Sequence, residues 1–339
     1  MMNMKNTVSM PPSKLSFYIN VIKITFAILL VGFVLSQTDL SSLGALLQKI
    51  SSFWLIFAFL LFALLVVIKA MQYHILLEKK TAYPGVLNVV IVQNAVSNFV
   101  ATGAGIASYL TLFRLEQGVK LSRSALAFLL AKVGDLISIW LFMLISSLVL
   151  WPQVTSLHGL IVLLLTIISL AILFFCIVVF LRQKFVSMLA WLVNVLKLSR
   201  FGFINKLMDL LSSLAEQKHS FVFHMVGIGV VFSLVYMAVT MAWIYASLQT
   251  FSFSIGILPV IFVNIFMQLI SYLPIQVFGG LGVNETTSLY LYGIFGFPQN
   301  ELAAVLIATR LLFYLTNLAV LLYLPVYTLF YSPKTAEKH

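Results

Sequence analysis

The chain is built from long, continuous apolar runs separated by short polar connections. The segments Ile19–Leu35, Ser52–Leu77, Ser124–Leu150, His158–Leu181, Phe221–Leu248, Ile257–Leu273 and Leu302–Phe330 each come near the ~20 apolar residues that a helix needs to cross a hydrocarbon core. Membrane-spanning strands would instead show ~10-residue segments of alternating polarity, and the chain has no such pattern. An all-α, polytopic helical membrane protein with about seven spanning helices follows.

Two further segments are too polar or too interrupted to be ordinary spans. Val86–Gly105 carries Asn88, Gln93, Asn94, Ser97, Asn98 and Thr102, and Gln276–Gly296 begins Gly279-Gly280-Leu281-Gly282 and continues with Asn284 and Glu285. Irregular backbone at membrane depth is tolerated only inside protein or beside water, so both segments are expected to be broken or re-entrant. Each is followed by an alanine-rich stretch with a basic residue in similar register, Ala125–Lys132 and Leu302–Arg310, which suggests a weak internal repeat. Transporters often place their binding site where paired, interrupted helices meet.

Charge sets the expected topology. Arg182–Ser220 is the longest polar stretch and holds Arg182, Lys184, Lys197, Arg200, Lys206 and Lys218, so it should be cytoplasmic. Counting back through the runs puts the uncharged Trp151–Leu157 outside and Arg114, Lys120 and Arg123 inside. Counting forward from a cytoplasmic N-terminus puts Lys79 and Lys80 inside as well, so Val86–Gly105 enters and leaves by one face. The N-terminal Lys5, Lys14 and Lys23 before the first run resemble a secretory signal. No small-x-small cleavage site follows at Leu35-Ser36-Gln37, and an uncleaved first span is expected. The organisation is a single membrane domain over residues 1–339, with halves at about 15–181 and 221–331. The linker 182–220 should lie in the cytoplasmic interface, because Phe185, Met188, Leu189, Leu192, Val193 and Leu196 follow helical spacing.

Composition agrees. Of 339 residues 62% are hydrophobic and only 9% charged, against roughly 25% charged in soluble domains. A net charge of +11 does not indicate nucleic acid here, because the basic residues are spread over the short connections. Cys176 is the lone cysteine and can form no internal disulfide. No catalytic signature for zinc proteases, Walker A loops or serine hydrolases is present, and no cysteine-rich metal site. No metal, cofactor or autonomous catalytic activity is expected. His74, His158, His219, His224 and His339 are scattered and read as interfacial polar residues.

The informative residues are ionisable groups at membrane depth, which usually face protein or water and mark function. Lys132 and Asp135 share one helix face, as a packing pair or as a cavity wall offering a cation. Arg310 has no acidic residue three or four positions away, and Tyr314 and Asn317 continue its face. Its partner must come from another helix, such as Glu285 or Asp135, or from a ligand such as a lipid phosphate, which the guanidinium fork matches. Asn284 can cap the helix after the glycines, with Glu285 in its first turn. Asn264, Gln268 and Ser271 form one polar stripe, and Asn94, Asn98 and Thr102 another, either to hold helices together or to line a wet crevice.

Leu273-Pro274-Ile275-Gln276-Val277-Phe278-Gly279-Gly280-Leu281-Gly282-Val283-Asn284-Glu285, followed by Ala303-Ala304 and Arg310, resembles the carboxyl-terminal motif of the lysylphosphatidylglycerol synthase transmembrane-region family, the flippase-like domain proteins. Asn98-Phe99, Gly103-Ala104-Gly105 and Lys132-Val133-Gly134-Asp135 sit where that family has its first motif. Many relatives carry an acidic residue and an arginine just after those glycines, where this chain has Ile106 and Tyr109. The resemblance implies a domain that moves lipids or lipid-linked compounds across the bilayer. It covers the membrane half alone, so the aminoacyltransferase activity fused to some relatives is not implied.

The reading is a translocase for an anionic phospholipid or lipid-linked compound in the cell membrane. Arg310, Lys132, Tyr314 and Asn317 would hold the headgroup. Glu285, Asp135, Asn98, Gln268 and Asn264 would line the cavity or couple its movements. Gly279, Gly280, Gly282, Gly103 and Gly105 would shape the backbone. The alternative is a membrane subunit or scaffold of a lipid-modifying glycosyltransferase or aminoacyltransferase. The expected partners are membrane lipids, with a second copy of the chain or a separate lipid-modifying enzyme as protein partners, and no nucleic acid.

Overall fold

The computed structural model describes residues 48–196, 219–271 and 282–331, with isolated positions at 44, 200, 208, 212 and 280. The expected first span Ile19–Leu35, most of the linker after Val195, and Gly279 and Leu281 lie outside the described residues. All regular structure among the described residues is helical. In chain order the helices are α1 Ser52–Leu76, α2 Tyr83–Phe99, α3 Thr102–Leu115, α4 Leu121–Leu150, α5 His158–Val195, α6 His219–Thr250, α7 Ile257–Ser271, α8 Val283–Ile294, α9 Gln299–Leu321 and α10 Tyr323–Tyr331. Among the described residues, five stretches are long and apolar enough to cross a membrane: Ser52–Leu76, Leu121–Gln153, Thr155–Val178, Ser220–Thr250 and Gln299–Phe330.

Helix α7 differs from the expected span Ile257–Leu273. Its 15 described residues reach only about 22 Å at 1.5 Å per residue, short of a ~30 Å core. It forms a hairpin with the 12-residue α8. Helix α5 also differs from expectation. It runs unbroken past Leu181 to Val195, because Arg182–Val195 contains no proline or glycine to stop it, and Leu189 packs with Val178 and Val222.

The bundle has two ends, fixed by contacts between connections. At one end the Ser51 N–H donates to the Thr250 carbonyl at 2.9 Å, and Phe253 packs against Phe297 with ring centroids 5.4 Å apart. At the other end Asn88 donates to Glu116 at 3.2 Å, Arg123 pairs with Glu78 at 2.8 Å, and the Tyr323 hydroxyl donates to the Pro84 carbonyl at 3.2 Å. We call these the 250 end and the 78 end.

Helices α2 and α3 enter and leave at the 78 end. Pro84 starts α2 in its first turn, where the missing N–H costs nothing. The chain breaks at Val100 and the extended Ala101, then returns as α3. Gly105 lets α3 lie directly on α2, since a Cβ there would collide with the Ser97 hydroxyl and the Gln93 carbonyl. The expected one-faced segment is therefore a helical hairpin, with Lys79 and Lys120 at the same end of the bundle.

Helices α7 and α8 form the matching hairpin from the 250 end. Each half of the chain is thus a long helix, a hairpin and another long helix: α1, α2–α3, α4 and then α6, α7–α8, α9. Helix α1 runs from the 250 end to the 78 end, whereas α6 runs the opposite way, so the two halves are inverted relative to each other. Lys132 in α4 stands as far from Leu121 as Arg310 in α9 stands from Gln299, which gives the short sequence repeat a structural counterpart.

The halves meet along α1, α4 and α6. Helices α4 and α6 approach closely at glycines: a Cβ on Gly134 would lie 2.6 Å from the Gly229 carbonyl oxygen. Without a hydrophobic driving force between helices in lipid, such close approach supplies the packing that joins them. The apolar core divides into a group around Met143, Met237, Phe262 and Leu302 and another around Tyr73, Tyr109, Phe113 and Leu130.

Candidate functional site

The tips of the two hairpins face one cavity of about 730 Å³. Hairpin α2–α3 contributes Gln93, Asn94, Ser97, Asn98, Thr102 and Ile106. Hairpin α7–α8 contributes Asn264, Gln268, Ser271, Asn284, Glu285 and Ser288. Both polar stripes read from the sequence therefore line the cavity. The stripe residues also make helix contacts: the side-chain amides of Asn264 and Gln268 donate to the sulfurs of Met241 and Met237 at 3.0 and 3.1 Å. They hold helices together and line the crevice at once.

Two ion-pair groups sit in the wall. In the first, Asp135 gives one oxygen to each of two ammonium groups, Oδ1 to Lys69 at 2.8 Å and Oδ2 to Lys132 at 3.1 Å. The Ser233 hydroxyl also donates to Oδ1 at 2.7 Å, and Gln72 donates to the Ser233 oxygen and the Gly229 carbonyl, each at 2.9 Å. The Lys69 ammonium lies over the Tyr236 ring, 4.8 Å from its centroid. Lys132 and Asp135 pair on one helix face as the sequence indicated, but the closer partner of Asp135 is Lys69, which the sequence reading did not single out. The signal was present: Lys69 is the only Lys, Arg, Asp or Glu in Ser52–Leu77.

In the second group Arg310 Nε lies 3.4 Å from Glu285 Oε1, so the partner of Arg310 does come from another helix. Its guanidinium sits 4.9 Å from the Phe313 ring centroid and 5.0 Å from that of Tyr314. The second carboxylate oxygen of Glu285 accepts the Gly282 N–H at 2.6 Å. Gly280 and Gly282 both have φ of +82°, a conformation in which a side chain would be strained, and they turn the chain into α8. Helix α8 accordingly starts from Gly282. The expected cap, Asn284, lies inside the first turn instead.

The remaining candidates divide. Arg310, Lys132, Glu285, Asp135, Asn98, Gln268 and Asn264 line the cavity, whereas Tyr314 and Asn317 do not. Those two anchor the tip of the first hairpin to α9. Asn98 donates to the Asn317 side-chain oxygen at 2.7 Å, and Tyr314 stacks on Phe99 with centroids 5.6 Å apart. Gly105 serves the hairpin contact, and Gly103 has open space around its Cα. Ile106 lines the cavity, and Tyr109 is buried against Tyr73 and Phe113. Among the described residues, no group of three or more His, Cys, Asp or Glu could hold a metal ion.

Three basic side chains, Lys69, Lys132 and Arg310, face two carboxylates, Asp135 and Glu285, in the cavity wall. The balance is one positive charge. Trp243 also lines the cavity, and its buried indole N–H, a donor only, has no partner among the described residues. The arrangement can bind and orient an anionic group.

Long apolar helices, two hairpins entered from opposite ends and a charged cavity between their tips define a multi-pass integral membrane protein. The family model described as lysylphosphatidylglycerol synthase TM region matches residues 20–320, and the chain belongs to that family, which is concerned with lipid metabolism. Searches of curated proteins and of solved structures find no significant match.

Proposed function

We propose that the protein is a translocase for lipids with an anionic headgroup. The observation that carries this is the cavity with one excess positive charge at the meeting point of two inverted hairpins. Inverted repeats with interrupted helices are the architecture by which many transporters expose a central site to either side in turn. The cavity volume falls in the ~300–1,000 Å³ range of small-molecule sites, which suits a headgroup while the acyl chains remain in lipid. Lys132 and Arg310 hold the anionic group, and Asp135 and Glu285 keep those cations in place when the cavity is empty of ligand.

The test is reconstitution into liposomes containing fluorescent phosphatidylglycerol or phosphatidylcholine, with dithionite quenching to report the leaflet. Protein-dependent crossing of phosphatidylglycerol, faster than of phosphatidylcholine, is the expected result. Crossing no faster than in protein-free liposomes, with bound phosphatidylglycerol recovered from the purified protein, would replace the translocase with the second reading. That reading, a membrane subunit or scaffold of a lipid-modifying enzyme, is favoured by the synthase in the family's name.

The 78 end faces the cytoplasm in this proposal. Lys79, Lys80, Arg114, Lys120 and Arg123 lie in or beside its connections, and cytoplasmic loops carry the excess of lysine and arginine. Single cysteines at Lys79 and Lys120 in a chain with Cys176 replaced should both resist an impermeant maleimide applied outside intact cells and both react after permeabilisation. Reaction of either one from outside would contradict this orientation.

A further inference from the structure

We infer that hairpin α7–α8 carries a second subsite in the cavity, one that takes the hydroxyl groups of a sugar or polyol headgroup. Asn264 and Gln268 accept from those hydroxyls, and Ser288 joins them from the other arm of the hairpin. The inference rests on the headgroup reading above and names the chemistry attached to the anionic group.

Methionine sets the orientation of the two carboxamides. Asn264 and Gln268 stand one turn apart on α7, and each turns its amide nitrogen to a buried sulfur of α6, Met241 at 3.0 Å and Met237 at 3.1 Å. A thioether sulfur carries no hydrogen, so it can only accept. Each amide therefore gives its N–H to the sulfur and turns its carbonyl oxygen out of the contact. Neither oxygen takes a hydrogen bond among the described residues, and neither is enclosed in the packing. Both side chains line the cavity, so two acceptors one turn apart are presented to it. Holding helices together accounts for the N–H half of each amide and leaves the oxygen half unexplained.

Ser288 shows the same pattern. It lines the cavity and is only 8% exposed, yet its hydroxyl has no hydrogen-bond partner among the described residues. Other buried serines of these helices fold back on a carbonyl of the preceding turn, as Ser138 and Ser247 do at 2.9 and 2.8 Å. Ser288 lies one turn beyond Glu285 on α8, which places it beside the pair of Glu285 with Arg310. The occupant of such a group must donate without bringing a charge. An ammonium would sit among Lys69, Lys132 and Arg310, and both carboxylates of the wall, Asp135 and Glu285, already face basic side chains. A hydroxyl donates to either carboxamide oxygen and can give to or accept from Ser288. A site built to bond a hydroxyl rejects an analogue that lacks it, because its buried polar groups are then left unpaired.

The test is a competition. Purified protein is mixed in micelles with equal amounts of phosphatidylinositol, phosphatidylmethanol, phosphatidylethanolamine, phosphatidylcholine and a neutral glucosyl diacylglycerol, then re-isolated, and the bound lipids are counted by mass spectrometry. Phosphatidylinositol and phosphatidylmethanol carry the same phosphodiester and differ in having a hydroxylated ring or a methyl group. The wild type should retain the inositol lipid over the methyl lipid by roughly tenfold, as two ordinary hydrogen bonds supply. Asn264→Leu/Gln268→Met should bring that ratio to about one. Ser288→Ala, a smaller change that carries the test if the double variant does not fold, should lower it roughly threefold. Equal retention of the inositol and methyl lipids by the wild type, both above phosphatidylcholine, would overturn the inference. So would an undiminished ratio in a folded variant, or retention of phosphatidylethanolamine above the inositol lipid. Retention of the glucosyl lipid above phosphatidylcholine, with neither anionic lipid above it, would support the hydroxyl subsite and sink the anionic reading instead. Retention of no lipid above phosphatidylcholine would overturn both.

Discussion

Asp135→Ala is expected to destabilise the protein by about 3–5 kcal/mol, because it leaves a buried lysine without its counter-charge. Lys69 is 10% exposed in its side chain, so it has little water to turn to when the carboxylate is removed. Lys132, at 37%, can be hydrated from the cavity and contributes less of the loss. Adding Lys69→Met to Asp135→Ala should therefore recover most of the stability, while adding Lys132→Met instead should recover little. Thermal unfolding of the three proteins in one detergent decides it. Equal recovery by the two second changes would show that the two lysines are equivalent partners of Asp135, contrary to their burial.

The second large effect is at Arg310. Arg310→Ala leaves Glu285, a 9% exposed carboxylate, without its counter-charge, and a loss of about 3–5 kcal/mol is expected. Glu285→Gln in the same protein should restore stability, since glutamine can still accept the Gly282 N–H. Arg310→Lys keeps the charge and should cost only about 1 kcal/mol in stability. It loses the planar fork and the stacking over Phe313 and Tyr314, however, so the binding of phosphatidylglycerol should fall by roughly tenfold. Thermal stability measured beside phosphatidylglycerol binding separates the two roles. Wild-type lipid binding in a stable Arg310→Lys protein would exclude bidentate recognition. Wild-type binding in Arg310→Ala/Glu285→Gln would reduce Arg310 to a structural partner of Glu285.

Arg310, Glu285, Lys132 and Asp135 were legible because a charge in an apolar helix stands out against its neighbours, and the bilayer penalises it wherever the helix turns. Lys69 was open to the same argument and was overlooked within an otherwise apolar run. Ser233, Gln72 and Tyr236 were not open to it. A serine, glutamine or tyrosine in a membrane helix is unremarkable until a charge is placed beside it, and that placement depends on how α1, α4 and α6 cross.

Tyr314 and Asn317 mark the limit of reasoning from one helix. They do continue the face of Arg310 by spacing, yet the neighbour of that face changes along α9. At Arg310 it is the cavity and Glu285, and two turns on it is the tip of the first hairpin, where Asn317 meets Asn98. Spacing gives the face but cannot say what lies opposite each turn of it. The Asn284 cap failed for a related reason. Two glycines at positive φ turn the backbone before residue 284 is reached, so the helix begins at Gly282 and Asn284 is already inside it.

By itself the sequence determined that the chain is a helical membrane protein, where its helices are interrupted, and which ionisable groups lie at depth. Those are consequences of local hydrophobicity and of the need to satisfy the backbone in lipid, and each residue answers to them alone. Only the tertiary structure decided that the two hairpins enter from opposite ends, that their polar tips share one cavity, and that Asp135 answers to two lysines. Those depend on contacts between segments far apart in the chain, such as Lys69 with Asp135 and Asn98 with Asn317, and on glycines at 105, 134 and 229 that let helices approach closely enough to make them.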